Sequence, residues 1–366
     1  MAIYKTFASQ DASLYSKFPA MNTGLDEILE VSVKNTTDEF NSLFPVSGAL
    51  LTDDLRRSVI KFSDADLNKL KSYATGSWKA YLKLYVANAE NLSQDYTLEF
   101  RQVATTWEMG TGHFADSPEV RNGACWYSPN PYTSASNSWG GGEYYTTPGG
   151  GSWTNRLATQ SFDNQSSKDV EVDITSIVDS WFSGSAQNNG ILVKHSSSIE
   201  NDPNSYIALN YFSNDTHTIY PPTLEIRWND GAYVTGSLIE EQNSYSVVTI
   251  ANNMGTYNVN TEKYRFRINC RDMYPRRVFT TSSLYTSNKR LPETTYWSLL
   301  DAKSNDVVID FDTNYTKVSC DGTSSYFDLY SKGLQPERYY KILIKSVLYS
   351  GEIVSYDNDY IFKVTL

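Results

Sequence analysis

Asp169-Val-Glu-Val-Asp-Ile-Thr-Ser-Ile-Val-Asp-Ser-Trp-Phe182, followed by Ile191-Leu-Val-Lys194 and closed by Pro221-Pro-Thr-Leu-Glu-Ile-Arg-Trp228, is the stretch whose reading decides the fold. Its opening residues alternate apolar and acidic side chains, the period-2 pattern of a half-buried strand. Ile174, Ile177, Val178, Trp181 and Phe182 then recur at i, i+3, i+4, i+7 and i+8, a single apolar helical stripe. Asp173 or Thr175 suits the start of that helix and Gly184 its end. After the polar turn Gln187-Asn-Asn-Gly190, residues 191–194 read as a fully buried strand and residues 221–228 as a closing strand led by prolines. One compact helix is thus set between strands.

Working outward, the same strand grain recurs. Ile3 to Tyr15, Ile28 to Val33, Ser58 to Phe62, Lys79 to Val86 and Tyr96 to Val103 alternate as sheet strands, and Ser63 to Leu70 predicts one or two helical turns with a Ser cap. The 28 Tyr, 15 Phe and 8 Trp suit pleated, half-buried surfaces. Residues 105–160 break the pattern. They hold Trp107, Trp126, Trp139 and Trp153, two triple-glycine runs and little periodicity, and so read as one long loop. A loop of that length inside a compact domain is usually functional or an interface.

Beyond Ala232 the alternation resumes at 246–250, 264–270, 307–311, 326–330, 339–345 and 360–364, short strands with turn residues between them that predict a second sandwich. Gly333-Leu-Gln-Pro-Glu-Arg-Tyr-Tyr340 has the form of a corner before a late strand, which Tyr339 or Tyr340 can tie down through its hydroxyl. At 366 residues the chain exceeds what one core usually supports, and the expected division is 1–230 and 231–366.

A net charge of −11 opposes bulk attraction to phosphate backbones, so no nucleic-acid partner is expected. The basic clusters are Arg56-Arg57 and Arg265 to Arg277, and in the second of them Arg265, Arg267, Arg271, Arg276 and Arg277 read better as outward strand residues than as a phosphate site. Cys125, Cys270 and Cys320 are scattered and odd in number, which predicts packed, reduced thiols made in a cytosol. No signal-peptide core or membrane-length apolar run occurs.

Residues 1–230 resemble a DNRLRE-type domain, a jelly-roll sandwich similar to some carbohydrate-binding modules. The matching segments, in order, are Arg57-Ser-Val-Ile-Lys-Phe62, Ala80-Tyr-Leu-Lys-Leu-Tyr-Val86, Thr106-Trp-Glu-Met-Gly110, Val172 to Trp181, Asn189-Gly-Ile-Leu-Val193 and Pro222-Thr-Leu-Glu-Ile226. The corner at 333–340 similarly resembles immunoglobulin-like and fibronectin-like modules. Ala2-Ile-Tyr-Lys to Tyr15, Asn22 to Glu30, Gly333 to Lys345 and Asp357 to Phe362 are similar to virion structural proteins of contractile-tailed phages of marine cyanobacteria.

The resemblance implies an all-β part of a virus particle, made in the host cytoplasm and present in the virion in several copies or as a homo-oligomer, with other virion proteins as partners. The alternative is a glycan-binding adhesin on the same particle, with host-surface glycan as its ligand. Trp126, Tyr127, Trp139, Tyr144, Tyr145 and Trp153 are the candidates for stacking on a sugar or meeting a protein. His113, His195 and His217 have no metal-protease spacing, and no nucleophile-elbow or P-loop pattern occurs, so catalysis is not expected. Paired acids such as Asp169 with Glu171 and Glu240 with Glu241 read as solvated faces. Asp357-Asn-Asp359 and Asn201-Asp-Pro-Asn204 read as turns, and no metal or cofactor is assigned.

Overall fold

The computed structural model describes residues 2–34, 54–74, 76–90, 92, 95–132, 138–140, 149–202, 206–229, 233–275 and 287–366. The chain is nearly all β, and the described residues contain three short helices: α1 (Asp64–Tyr73), α2 (Thr175–Ser183) and α3 (Ser197–Glu200). The fold expectation allowed the N-terminal sandwich a single short helix. Helix α1 lies where Ser63 to Leu70 predicts helical turns, and α3, a single turn after Ser196, is the one without a sequence expectation.

Two compact units divide the chain. The N-terminal unit comprises Thr6–Lys71 and Lys79–Glu225, and the C-terminal unit comprises Met1–Lys5, Ser72–Trp78 and Ile226–Leu366. This partition differs from a cut at residue 230 by the short segments that join the C-terminal unit. Their shared feature is an aromatic cluster: Tyr330 lies 6.0 Å from Tyr4, 5.8 Å from Tyr73 and 5.1 Å from Trp228, centroid to centroid. Rings at such spacings contribute beyond their buried area.

Strands β1 (Ala2–Tyr15), β2 (Ile28–Lys34), β3 (Asp54–Phe62), β4 (Trp78–Leu84), β5 (Val86–Glu90), β6 (Tyr96–Val103), β7 (Trp153–Phe162), β8 (Val170–Asp173), β9 (Ile191–His195), β10 (Tyr206–Phe212) and β11 (Thr223–Trp228) form one branched sheet. Its path is β5-β10-β2-β3-β1-β11-β4-β8, and β9, β6 and β7 branch from β3. Strand β3 is the hub: it pairs with β2 through Asp54–Arg56, with β1 through Arg56–Phe62 and with β9 through Ser58–Ile60. Its apolar Val59, Ile60 and Phe62 are wholly buried. Gly190 lets β9 start so close to β3: its φ is +86°, and a Cβ there would stand 2.2 Å from the Ile60 carbonyl oxygen.

Helix α2 follows the apolar stripe, burying Ile177, Val178, Trp181 and Phe182, and ends at Gly184 with φ 75°. Its start corrects the capping expectation. Ile174 is the cap residue and offers no side-chain acceptor, while Asp173, one residue earlier, accepts the Thr175 N–H at 2.9 Å. Strand β7 corrects the loop boundary, because a ten-residue strand begins at Trp153 and pairs with β6. Its side chains between the two ends are half-buried or exposed, which leaves too little hydrophobic contrast for the period to show.

The C-terminal unit holds β12 (Ser246–Ile250), β13 (Thr256–Asn258), β14 (Tyr264–Asp272), β15 (Thr295–Asp301), β16 (Val307–Ile309), β17 (Ser319–Cys320), β18 (Ser325–Leu329), β19 (Tyr339–Val347) and β20 (Ile353–Thr365). They form a sheet β12-β14-β18-β17 and a sheet β13-β20-β19-β15-β16. Phe266 and Phe327 from the first and Trp297, Ile342, Ile344 and Phe362 from the second share one core. Trp297 stacks on Phe327 at 4.6 Å and 16°. One core between two sheets makes this unit β-sandwich-like. The corner residue is Tyr340: its buried hydroxyl donates to the Gln335 carbonyl at 3.2 Å and accepts the Gln335 N–H at 2.9 Å, whereas Tyr339 is exposed.

Candidate interaction surface on the long loop

The segment between β6 and β7 is pinned at its base. Ala104 N–H donates to Ser152 O at 3.0 Å, and Asn189 receives Thr106 Oγ1–H at 3.0 Å and donates to Ala104 O at 3.0 Å. Asn22 fixes the middle, donating to Met109 O at 2.7 Å and Ala124 O at 2.9 Å while its Oδ1 accepts Gly112 N–H at 2.9 Å. Gly24 permits this approach, since a Cβ there would lie 2.1 Å from Met109 O.

The described tryptophans of the loop region turn inward. Trp107, Trp126, Trp139 and Trp153 pack with Ala12, Leu14, Val59, Val103 and Leu192 in one buried cluster. Trp107 Nε1–H donates to Asn189 O at 2.8 Å and Trp139 Nε1–H to Cys125 O at 2.9 Å, so these indoles keep both an apolar bed and a polar partner. The expectation that Trp126, Trp139 and Trp153 stack on an outside ligand is corrected accordingly, because their exposures are 4%, 1% and 6%. Burying an indole face against Leu and Val gains more than leaving it in water. Tyr144 and Tyr145 lie outside the described residues. Tyr127, at 40% exposure, reaches the surface.

Beneath Trp126 and Trp153 lies a charge network that was not anticipated. Arg57 forks onto Glu200, Nε to Oε1 at 2.9 Å and Nη2 to Oε2 at 2.8 Å, and its Nη1 donates to Gly150 O at 2.9 Å. Its guanidinium lies 5.1 Å from the Trp126 ring centre and 5.3 Å from that of Trp153. Lys194 joins from β9, with Nζ 3.0 Å from Glu200 and 3.6 Å from Glu99. Burial pushes the Lys194 ammonium below its ordinary pKa. For Glu200 burial pushes upward, but Arg57 and Lys194 together pull the carboxyl below its usual value. Every member is paired, which is the condition for burying such charges. The geometry is that of a structural clamp joining β3, β9 and α3 to the loop.

Once the indoles are accounted for, a different set of rings faces water. Phe18 is 40% and Phe114 43% exposed, and they meet edge to face at 5.7 Å. Phe114 rests on buried Tyr15 at 5.1 Å, and Arg56 lies 5.3 Å from the Tyr15 ring centre. Tyr127 packs on Tyr132 at 5.3 Å, and its N–H donates to Pro19 O at 3.0 Å, which connects it to the Phe18 segment. Acidic groups adjoin these rings: Asp26 accepts the Phe114 N–H at 3.0 Å and Asp116 accepts the His113 N–H at 2.8 Å.

The remaining candidates resolve into structure. His195 is fully buried on β9, edge-on to Tyr96, and burial pushes its pKa down to about 4. His113 and His217 are surface residues, 3.8 Å from Asp116 and 3.5 Å from Glu27. Lys341 Nζ sits between Asp357 and Asp359 at 2.8 and 3.2 Å, occupying the place a cation would take. Asp169 accepts the Val86 N–H at 2.8 Å, Glu171 lies 3.6 Å from Lys83, Glu240 pairs with Arg290, and Glu241 lies 3.2 Å from Lys289. Arg265 and Arg267 are matched with Asp328 at 2.7 Å and Asp321 at 2.8 Å, while Arg276 and Arg277 lie outside the described residues. Cys125, Cys270 and Cys320 are free and buried. Among the described residues no cluster of His, Cys, Asp and Glu is arranged to hold a metal, and no helix is long and apolar enough to cross a membrane. No protein-family model matches the chain, and no curated protein matches it.

Proposed function

We propose that this chain is a non-enzymatic structural component of a tailed-phage virion, a capsid, neck or tail and fibre attachment part that works by holding other virion proteins. On this reading the N-terminal unit is a jelly roll of the DNRLRE kind and the C-terminal unit an immunoglobulin-like or fibronectin-like sandwich. The motif order in residues 57–226 and the Tyr340 corner support those folds, and the similarity of the chain ends to phage structural proteins supports the context. The observation that carries the attachment role is the exposed set Phe18, from the turn after β1, and Phe114 and Tyr127, from the described part of a loop whose tryptophans are buried. A rigid aromatic surface supplies contact area with little ordering entropy left to lose. Quantitative mass spectrometry of purified particles tests it. The chain should appear at a fixed copy number and persist through high-salt washing, and a variable amount that washes away sinks the proposal.

The glycan-binding alternative draws on a different place from the tryptophans. A groove of about 460 Å³ is lined by Asp95, Thr97, Ser161, Asp163, Ser196 and Ser198 together with Tyr96, Phe162 and Ile199. Hydroxyls and carboxylates in a groove suit a polyhydroxylated ligand. Retention of the chain on host polysaccharide, lost in Asp163→Ala with thermal unfolding unchanged, would favour this reading.

A further inference from the structure

The exposed rings of the N-terminal unit stand among negative charges drawn from several elements. Asp11 comes from β1, Asp26 and Glu27 from the turn before β2, Asp116 from the long loop, and Asp215 from the turn after β10. They are connected in space. Asp11 accepts the Asn214 N–H at 2.7 Å, Ser213 N–H donates to Glu27 O at 3.0 Å, and Asp26 accepts the Phe114 N–H. Glu27 is 62% exposed and Asp116 32%. The counter-charges are few. Arg56 on β3 is held by Glu30 of β2 and by Asp54, the local histidines are His113 and His217, and the exposed Lys17 precedes Phe18 in the chain. Two phenyl rings in water beside carboxylates whose basic neighbours are histidines form a surface with both apolar area and a directional charge preference.

We propose that Phe18 and Phe114, with Asp26, Glu27, Asp116 and Asp215 around them, form a docking surface for a cationic segment of a partner protein that carries aromatic or aliphatic side chains between its Lys or Arg residues. The assignment rests on the attachment role above and names the partner's chemistry. The phenyl faces take the partner's apolar side chains, with the Phe114 ring braced from behind by Tyr15. The carboxylates steer and orient the cations, and guanidinium groups can also lie over the phenyl faces. The same acids make docking sensitive to pH. Burial raises Asp11 to about 7, and burial is also the first cause raising Asp26 and Asp215. Asp11 lies buried beneath the docking set, and for the surface pair Asp26 and Asp215 acidification therefore removes charge earlier than from an unperturbed carboxylate and weakens the attraction.

The test uses the full chain with two fluorescent peptides of equal length, one alternating Arg and Trp, the other alternating Glu and Trp. At about pH 8 the cationic peptide should bind and the acidic one should not, and Phe18→Ser with Phe114→Ser should weaken binding by about tenfold or more at unchanged net charge. Asp116→Asn with Glu27→Gln should weaken it more than Asp310→Asn with Glu352→Gln, which removes equal charge from the C-terminal unit. Binding should fall as the pH is lowered into the carboxylate range, about pH 4. Thermal unfolding of each variant verifies that the fold is kept. Equal losses from both charge pairs, or none from the phenylalanine pair, overturn the proposal. Particle assembly separates the two readings: a Phe18→Ser, Phe114→Ser chain that enters particles at full copy number defeats this docking surface but leaves the virion role standing. Absence of the unaltered chain from particles defeats the virion role whatever the peptide does.

Discussion

Trp126 shows how a surface candidate becomes core. Its ring covers Arg57, and Gly150, the middle residue of the loop's second triple-glycine run, donates its N–H to Trp126 O at 2.6 Å. Trp126→Ala or Trp139→Ala should therefore act on stability, lowering it by about 3–5 kcal/mol as for other buried Trp truncations. Chemical denaturation measures this, and a variant within about 1 kcal/mol of the parent would show the indole to be dispensable to the core. Glu200 is the complementary case. Glu200→Ala leaves Arg57 and Lys194 buried without their shared carboxylate, and should cost about 3–5 kcal/mol. The Glu200 pKa is lowered in the folded state, so its contribution is present above the unfolded value of 4.5 and is lost as pH falls through the folded value. The difference between parent and variant should thus narrow in acid, and a constant difference down to about pH 2 contradicts the assignment. The network was not legible in the sequence, because Arg57 and Glu99 are far along the chain from Lys194 and Glu200 and only the sheet brings them together.

At the scale of elements, what could be read depended on whether burial leaves a periodic trace. Helix α2 and strand β4 have one buried face each and stand out in the sequence. Strand β15 does not. Its Thr295, Ser298 and Asp301 are buried but polar, satisfied by Ser346 Oγ at 2.8 Å, Ile309 O at 2.7 Å and the Arg338 guanidinium at 3.1 Å. Strand β10 was also missed; Ile207, Ala208 and Leu209 are buried in a row between β2 and β5, so no alternation marks it. The Tyr340 corner was legible as a motif, though the choice between Tyr339 and Tyr340 needed the register of β19 against β20. Tyr340→Phe removes both bonds to Gln335 and should cost about 1–2 kcal/mol, with the β-sheet circular dichroism unchanged. Tyr339→Phe, at an exposed ring, should change stability by less than about 0.5 kcal/mol. Equal effects from the two would place the corner elsewhere.

For the molecule as a whole, two buried groups of the N-terminal unit set opposing pH trends. Asp11 titrates at about 7 in the fold against 3.8 as a free side chain, because burial outweighs its bond from Asn214. Between those values the native state holds the extra proton, so this group makes stability rise as pH falls from 7 towards 4. His195 does the reverse. Its value of about 4 lies below the ordinary 6.5, the unfolded chain holds the extra proton, and stability falls over nearly the same window. Asp11→Asn keeps an oxygen for the Asn214 N–H and removes the buried charge. It should be more stable than the parent by about 2–4 kcal/mol near pH 8, equal to it near pH 4, and show a steeper acid decline in between. Urea titrations across pH measure this; a variant less stable than the parent at pH 8 is the contrary outcome.

The sequence by itself determined what depends on local periodicity and on a handful of backbone specialists: the β-rich character, α2 with its Gly184 stop, the strands that bury one face, and a corner at 333–340. These are properties of neighbours along the chain, fixed by steric preference and by which side chains avoid water. Tertiary structure alone decided which aromatic side chains are core and which are surface. Trp126 and Phe114 sit in the same loop with similar composition around them, yet one is closed over by Arg57 and Gly150 and the other rests on Tyr15 with its outer face in water. Burial is set by what the rest of the chain places against a ring, and sequence neighbours do not carry that information.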